Sequence, residues 1–206
     1  MNAPGRSDKA EFLSTLKADL KRKSIRYQEL SLTQNLSTDV LPLLQNNGEN
    51  VIVPSTGDSG SLREITAALT QVHQARQGII TRLFGYPEWQ TYSTEMKKLF
   101  HQYGTYFYTP FYVDEHDAET RQFAENFKLW YGRDLINTYP KYGMFGYDTG
   151  MFFLNAVYRY GTNFEQRINR IPSNSLQFSF KFDRVNNWGG FINTGLYLIH
   201  YDAGNV

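Results

Sequence analysis

Between residues 8 and 161, short apolar runs alternate with stretches whose apolar residues recur every three or four positions, and this alternation narrows the available folds more than any other feature. Strands that alternate with helices are joined by right-handed crossovers and pair in parallel. Phe12, Leu13, Leu16 and Leu20 share one helical face, and Asp8 and Glu11 ahead of them have the spacing of a capping box. Residues 25–32 read as a strand. Ser37 or Thr38 then caps a short helix carrying Val40, Leu41, Leu43 and Leu44, which Asn46-Asn47-Gly48 ends as a C-cap. Val51-Ile52-Val53-Pro54 is a continuous apolar strand, as expected where both sheet faces are covered. Ser61 and Glu64 form a second capping box, for a helix buried through Leu62, Ile65, Leu69 and Val72 and ended by Gly78. Residues 79–84 are the next strand, broken by Gly85-Tyr86-Pro87-Glu88-Trp89, and a helix with Met96, Leu99 and Phe100 follows.

An aromatic strand over 106–113 leads to a helix bearing Phe123, Phe127 and Trp130. Tyr147, Met151, Leu154 and Tyr158 recur at helical spacing and predict a buried stripe on a helix closed by Gly161. The period changes after Pro172. Phe178, Phe180 and Phe182 alternate with Gln177, Ser179, Lys181 and Asp183, a half-buried strand that turns at Asn186-Asn187-Trp188-Gly189-Gly190 into a return strand over 191–201. The expected fold is therefore an α/β three-layer sandwich with a mainly parallel sheet and a C-terminal antiparallel hairpin. No repeat, low-complexity stretch or linker interrupts it, so residues 1–206 read as a single domain.

Composition sets outer bounds. A chain of 206 residues buries roughly 70% of its unfolded surface and needs no staples. A net charge of +1 leaves no nucleic-acid footprint, and Lys21-Arg22-Lys23 reads as a solvated helix face. The absence of cysteine excludes disulfides and thiolate chemistry without fixing the compartment. There is no apolar run of about 18 residues, so no membrane span is expected. Met1-Asn2-Ala3-Pro4-Gly5-Arg6 lacks an apolar core, so no signal peptide is expected within these residues.

The most suggestive polar segment is the loop over 55–61, between a strand end and a helix N-terminus. Backbone N–H groups there favour an anion, and glycines let a ligand approach. Gly57-Asp58-Ser59-Gly60 copies the nucleophile string of chymotrypsin-like proteases, but those are all-β and this loop opens a helix. Ser55-Thr56-Gly57-Asp58-Ser59 resembles a flavodoxin phosphate loop, which would imply FMN; in flavodoxins, however, that loop follows the first strand. An ordinary βα loop with a good N-cap is the plainer reading, and a loop contacting some other small ligand is the remaining one. Glu88, flanked by Tyr86 and Trp89 at a strand end, could meet a ligand amine between aromatic walls, or be a plain turn residue. His73, His101, His116 and His200 make no metal-ligand pair, so no metal is expected. Asp114, Glu115 and Asp117 precede a helix whose positive end they complement. No nucleophile, base and orienter assemble from the spacing, so no catalytic residue and no cofactor are assigned.

Taken in order, these segments resemble the C-terminal lobe of type 1 periplasmic binding proteins of the branched-chain amino-acid receptor group. Residues 8–23 are similar to that lobe's first helix and 25–32 to its following strand. Residues 38–53 match a helix and strand with the ligand loop after Val53, and 83–89 the next strand with its pocket turn. Residues 107–114 and 118–131 resemble the strand and helix near the hinge, 142–161 the long helix, and 176–201 the closing hairpin. Leu83-Phe84-Gly85-Tyr86-Pro87-Glu88-Trp89 and Phe145-Gly146-Tyr147-Asp148-Thr149-Gly150 resemble strings in envelope proteins where such a module follows peptidoglycan-binding LysM repeats.

The resemblance implies a non-enzymatic small-ligand receptor of the periplasm or cell envelope, with contacts from Ser55, Thr56, Tyr86 and Glu88. Glu88 would hold a ligand ammonium group, although Tyr86-Pro87 lengthens the turn relative to the family. The ligand would be an amino acid or a cell-wall fragment. A structural envelope module that has lost its ligand is the alternative. Two departures follow: the family's N-terminal lobe has no counterpart here, and neither does the central strand before the first helix. An unfilled central slot leaves unpaired backbone, which implies strand reordering or a homodimer.

Overall fold

The computed structural model describes residues 9–202, so the cap read at Asp8 lies outside the described residues. The chain forms two compact units. The first runs to Phe107 and takes the chain back from Ile199; the second is Tyr108–Leu198.

In the first unit, α1 (Ala10–Arg22) is followed by α2 (Leu36–Val40), β1 (Glu49–Ile52), α3 (Ser59–Ala75), β2 (Ile80–Gly85), α4 (Thr94–Gln102) and β3 (Tyr106–Thr109). β1 pairs with β2 and β2 with β3, all in parallel; β6 (Tyr197–His200) completes the order β1-β2-β3-β6. β3 and β6 run across the unit boundary. The predicted alternation thus yields the expected mixed α/β architecture with a mainly parallel sheet. Helices lie on both faces of the sheet. Phe12 of α1 stacks on Phe84 with ring centroids 6.3 Å apart, while His73 of α3 reaches Thr81, one residue out of phase and therefore on the opposite face. Leu62, Ile65, Leu69 and Val72 of α3 are buried, as are Leu83, Phe100 and Phe107.

Several local expectations are corrected. Residues 25–32 form no strand, and Ile25 and Tyr27 are exposed. The physical reason is visible in the pattern. Ile25 and Tyr27 fall on one face of a hypothetical strand and Leu30 and Leu32 on the other, so neither face is apolar throughout. α2 starts ahead of Ser37 and Thr38, with Asn35 at its N-cap, and continues as a 3-10 turn (Leu41–Leu43) that ends before Asn46. Gly48 has φ +129° but lies beyond any helix end. α3 begins three residues earlier than the Ser61–Glu64 box implies, nearly a full turn, because Asp58 caps it. It also stops at Ala75, before Gly78. β1 is not covered on both faces: Val51 is 59% exposed.

The second unit holds α5 (Ala118–Tyr131), α6 (Tyr142–Tyr160), a 3-10 segment (Gly161–Arg170), and the antiparallel pair β4 (Phe182–Arg184) and β5 (Phe191–Asn193). Asp117 caps α5 by accepting from the Thr120 N–H at 2.9 Å. Gly161 ends α6 at φ +61°, as expected. The buried stripe of α6 is not the expected one. Met144, Asp148, Phe152 and Ala156 face inward, whereas Tyr147, Met151, Leu154 and Tyr158 are exposed, Tyr158 to 90%. Phe152 stacks on Phe180 at 4.4 Å, and Phe178, Phe180 and Phe182 stack on one another in a ladder. The carboxylate of Asp148 accepts the backbone N–H groups of Leu176, Gln177 and Phe178 at 2.8, 2.9 and 3.1 Å. Burial pushes this carboxyl above its ordinary range, against the pull of those three donors.

The aromatic strands are shorter than their alternation implies. Pro110 follows β3 directly, and beyond it only Phe111 bridges to Phe178. The run 177–183 contributes β4 at its end, because the N–H groups of Gln177 and Phe178 are committed to Asp148. The return strand divides into β5, which forms the hairpin, and β6, which joins the parallel sheet. The division falls at Gly195, where a Cβ would lie 2.0 Å from the Ser179 carbonyl oxygen. The expected hairpin turn is present: the Asn186 side-chain oxygen accepts from the N–H groups of Trp188 and Gly189.

Candidate functional site

In open parallel sheets, ligands bind outside the carboxyl ends of the strands. β1 and β2 are neighbours in parallel register, so the segments leaving them emerge side by side. These are the loop over 53–58 and the turn that begins at Tyr86, which together carry every site residue read from the sequence.

The two segments are tied by side-chain to backbone hydrogen bonds. The buried Tyr86 hydroxyl donates to the Pro54 carbonyl. Trp89, also fully buried, donates its indole N–H to the Gly57 carbonyl at 3.2 Å, and the Tyr92 hydroxyl donates to the same oxygen. Tyr86 meets Trp89 edge-on at 6.1 Å, and Trp89 stacks on Phe100 at 5.1 Å. Amphipathic aromatics with a polar tip suit such a position, since ring burial and a directed hydrogen bond act together. A Cβ at Gly57 would lie 2.0 Å from a carboxylate oxygen of Glu88, so the absence of a side chain there lets that carboxylate take its place. The structure therefore brings Thr56, Tyr86 and Glu88 around one loop, with Ser55 and Thr56 nearly fully buried.

Glu88 faces an ammonium group supplied by the chain itself. The Nζ of Lys9 lies 2.5 Å from the Glu88 Oε1 and 4.9 Å from the centroid of the Tyr86 ring. A carboxylate beside an aromatic face is a recognition unit for amines, combining a charge-assisted hydrogen bond with cation–π attraction. The pair is partly open, with the Glu88 side chain 37% exposed.

The loop over 55–61 has a different chemistry from the one its glycines suggested. The Thr56 hydroxyl donates to Asp58 at 3.0 Å, and the Asp58 carboxylate accepts from the Ser61 N–H at 2.9 Å and the Ser61 hydroxyl at 2.8 Å. The hydrogen bond from the Ser61 N–H holds the Asp58 carboxyl below its ordinary value of 3.8, outweighing its slight burial. The positive end of α3 thus already carries a carboxylate, which opposes a phosphate in the same place. Ser59 is the first residue of α3. His73 is committed to Thr81 and His101 to the Asp202 carbonyl, so neither is poised on Ser59. Among the described residues, no group of three acidic, histidine or cysteine side chains could hold a metal ion. Asp114 and Asp117 accept local backbone N–H groups, while Glu115 meets Lys141 at 3.3 Å.

Sequence reasoning missed two features. Lys9 carries no motif and lies far from Glu88 along the chain. The other is an open groove of about 710 Å³ within the second unit, between α5, α6 and residues 172–176, walled by Phe123, Trp130, Tyr147 and Met151.

No protein-family model matches the sequence, and no curated protein matches it. The fold is similar to that of an ABC transporter substrate-binding protein from Desulfitobacterium hafniense, solved in complex with Leu, with a TM-score of 0.51 and 19% identity. The match covers 99% of this chain and 58% of that one. The chain has a periplasmic-binding-protein-like fold. Among the described residues, no helix is long and apolar enough to cross a membrane.

Proposed function

We propose that this chain is a non-enzymatic small-ligand binding lobe of an extracytoplasmic receptor-like protein, and that its ligand carries a primary ammonium group held by Glu88 and Tyr86. The observation that carries this reading is the carboxylate and aromatic face of Glu88 and Tyr86 gathered round an ammonium, at the carboxyl ends of two adjacent parallel strands. Ser55 and Thr56 lie on the same loop, which Thr56 braces through Asp58, and complete the proposed ligand contacts. The similar receptor was solved with leucine, a ligand with such an ammonium group.

The chain spans 58% of that receptor, so the proposal includes a counterpart lobe that completes the enclosure. One lobe covers about half of a small ligand, and intrinsic affinity is accordingly weak. The periplasm or cell envelope as location, a tie to peptidoglycan, and self-association as a homodimer complete the proposal. They are supported by the resemblance to LysM-associated envelope proteins and by the place of β1 at the end of the strand order among the described residues. The flavodoxin-like alternative with FMN is disfavoured by the Asp58 carboxylate at the N-terminus of α3.

The test is a thermal-shift screen with amino acids, muropeptides and FMN, run in parallel on Glu88→Ala. A ligand at a hundred times its Kd stabilises by about 2.7 kcal/mol, a shift of roughly 5–10 °C. An amine-bearing ligand that shifts the protein but not the variant supports the reading. A shift with FMN alone, or none with any amine, retires it in favour of the flavin binder or the structural module.

A further inference from the structure

Lys9 stands in a place its own helix does not favour. It occupies the N-cap position of α1, where the helix presents its positive end and a cation is repelled, and it makes no side-chain capping bond there. Its compensation comes from across the fold, from Glu88 at 2.5 Å and the face of Tyr86 at 4.9 Å. The Lys9 side chain is 19% exposed and that of Glu88 37%, so water reaches the pair, and a pair of this kind is weak enough to exchange. The helix that carries Lys9 is itself lightly held. α1 has no fully buried residue, and its aromatic anchor is Phe12, stacked on Phe84 and edge-on to Tyr86 at 5.7 Å. The end of α1 can therefore move without opening the core around Trp89, Phe100 and Phe107, all fully buried.

We infer that Lys9 is a tethered occupant of the ammonium subsite formed by Glu88 and Tyr86, and that a primary-amine ligand binds by displacing it. The inference rests on the assignment of Glu88 as the ammonium holder in the proposed function. Both ammonium groups need the same carboxylate oxygen and the same ring face, so they exclude one another. A site occupied from within binds its ligand more weakly by the fraction of time it is free. For a partly exposed pair reinforced by one aromatic face, that fraction corresponds to roughly a three- to tenfold loss of affinity. The carboxylate is also kept charge-balanced when no ligand is present. A prediction follows for ligand chemistry: the ammonium is the group that must be present, and an otherwise identical carboxylic acid without it has nothing to displace Lys9 with.

The experiment uses the full chain and three probes: L-leucine, isoamylamine, which keeps the ammonium and lacks the carboxylate, and 4-methylpentanoic acid, which lacks the ammonium. Calorimetric titrations are run on the protein, Lys9→Met, Glu88→Gln and the double variant. In parallel, the lysines are dimethylated with carbon-13 label, which keeps their charge, and the Lys9 signal, identified by its loss in Lys9→Met, is followed by NMR as isoamylamine is added. The expected result is three- to tenfold tighter binding of isoamylamine and leucine to Lys9→Met, no binding of either to any variant carrying Glu88→Gln, and movement of the Lys9 signal toward that of an exposed lysine on saturation. Equal affinity of the protein and Lys9→Met, with an unmoved Lys9 signal and binding still lost in Glu88→Gln, overturns the tethered-occupant inference and leaves the ammonium site standing. Binding insensitive to Glu88→Gln, or no binding of either amine to the protein and Lys9→Met, overturns both. The NMR readout on the unsubstituted protein decides the matter even if Lys9→Met destabilises α1.

Discussion

Asp58 shows how one side chain can decide between two readings of a loop. From sequence alone, the glycines and hydroxyls over 55–61 leave a small-ligand loop open beside the plainer reading of an N-cap. The carboxylate settles on the Ser61 N–H, and the loop becomes a braced N-cap. Replacing Asp58 by Ala removes that bond and costs about 1 kcal/mol at neutral pH. Because the folded-state pKa lies below 3.8, the stabilisation is present above that value and lost as pH falls through the folded pKa. Denaturant titrations of the protein and Asp58→Ala should therefore differ at pH 7 and converge in strong acid. Gly57→Ala is expected to act differently. The new methyl group collides with the movable end of Glu88, so the cost in stability is small, but the carboxylate is pushed from its place beside Tyr86. The measurement is the distance-dependent contact between labelled Lys9 and Tyr86, which should weaken while the melting temperature changes little. At this scale, Tyr86 and Glu88 could be named as candidates because a strand-breaking turn with a carboxylate between aromatics is a local pattern. Lys9 was not, since its role exists only once α1 is folded back along the sheet.

The elements divide according to how much their surroundings override their own pattern. α3 was readable because its apolar residues fall on one narrow stripe with polar residues elsewhere. α6 was not, because residues 142–160 are apolar nearly all round and include a buried acid. Periodicity alone chose Tyr147, Met151, Leu154 and Tyr158; the core chose the stripe containing Asp148, since its carboxylate is the acceptor for three backbone donors. Two substitutions separate the faces. Phe152→Ala, which opens a space against Phe180 and Phe182, is expected to cost about 3–5 kcal/mol. Tyr158→Ser, at a side chain 90% exposed, should stay within about 0.5 kcal/mol. Asp148→Ala leaves the donors of residues 176–178 without their acceptor and is expected to cost about 3 kcal/mol or more, with the loss localised by hydrogen exchange at those amides. The aromatic run after Pro172 was legible as extended chain, but its partners were not: the ladder of Phe178, Phe180 and Phe182 stacks on α6, and Gly195 sends the last strand to the parallel sheet instead of the hairpin.

For the molecule as a whole, order of elements carried more information than any motif. The alternation of strands and helices led to the parallel sheet even though one of the strands counted, over 25–32, is absent from it. That absence has a consequence at the sheet's edge. β1 pairs with β2 on one side, and among the described residues no strand lies on its other side. Val51 and Ile80, 59% and 46% exposed, lie on the same face near that edge, beside the Arg82–Glu49 ion pair. A strand at the end of a sheet that carries apolar side chains is a template for another strand, and charged residues on such edges are the usual protection against pairing. Here the protection is limited to Glu49 and to Asn50, whose side chain donates to the Ile80 and Gln45 carbonyls and keeps β1 in register with β2. We therefore expect the protein to associate through β1 as concentration rises from about 10 μM to several hundred, within the weak range that a short edge supports. Val51→Lys adds a charge to the edge without touching the buried face, and should return the sedimentation profile to that of a monomer while leaving the circular dichroism spectrum unchanged. A protein that stays monodisperse and monomeric throughout shows instead that Glu49 and Asn50 are enough to close the edge, and that the sheet is complete without a second copy.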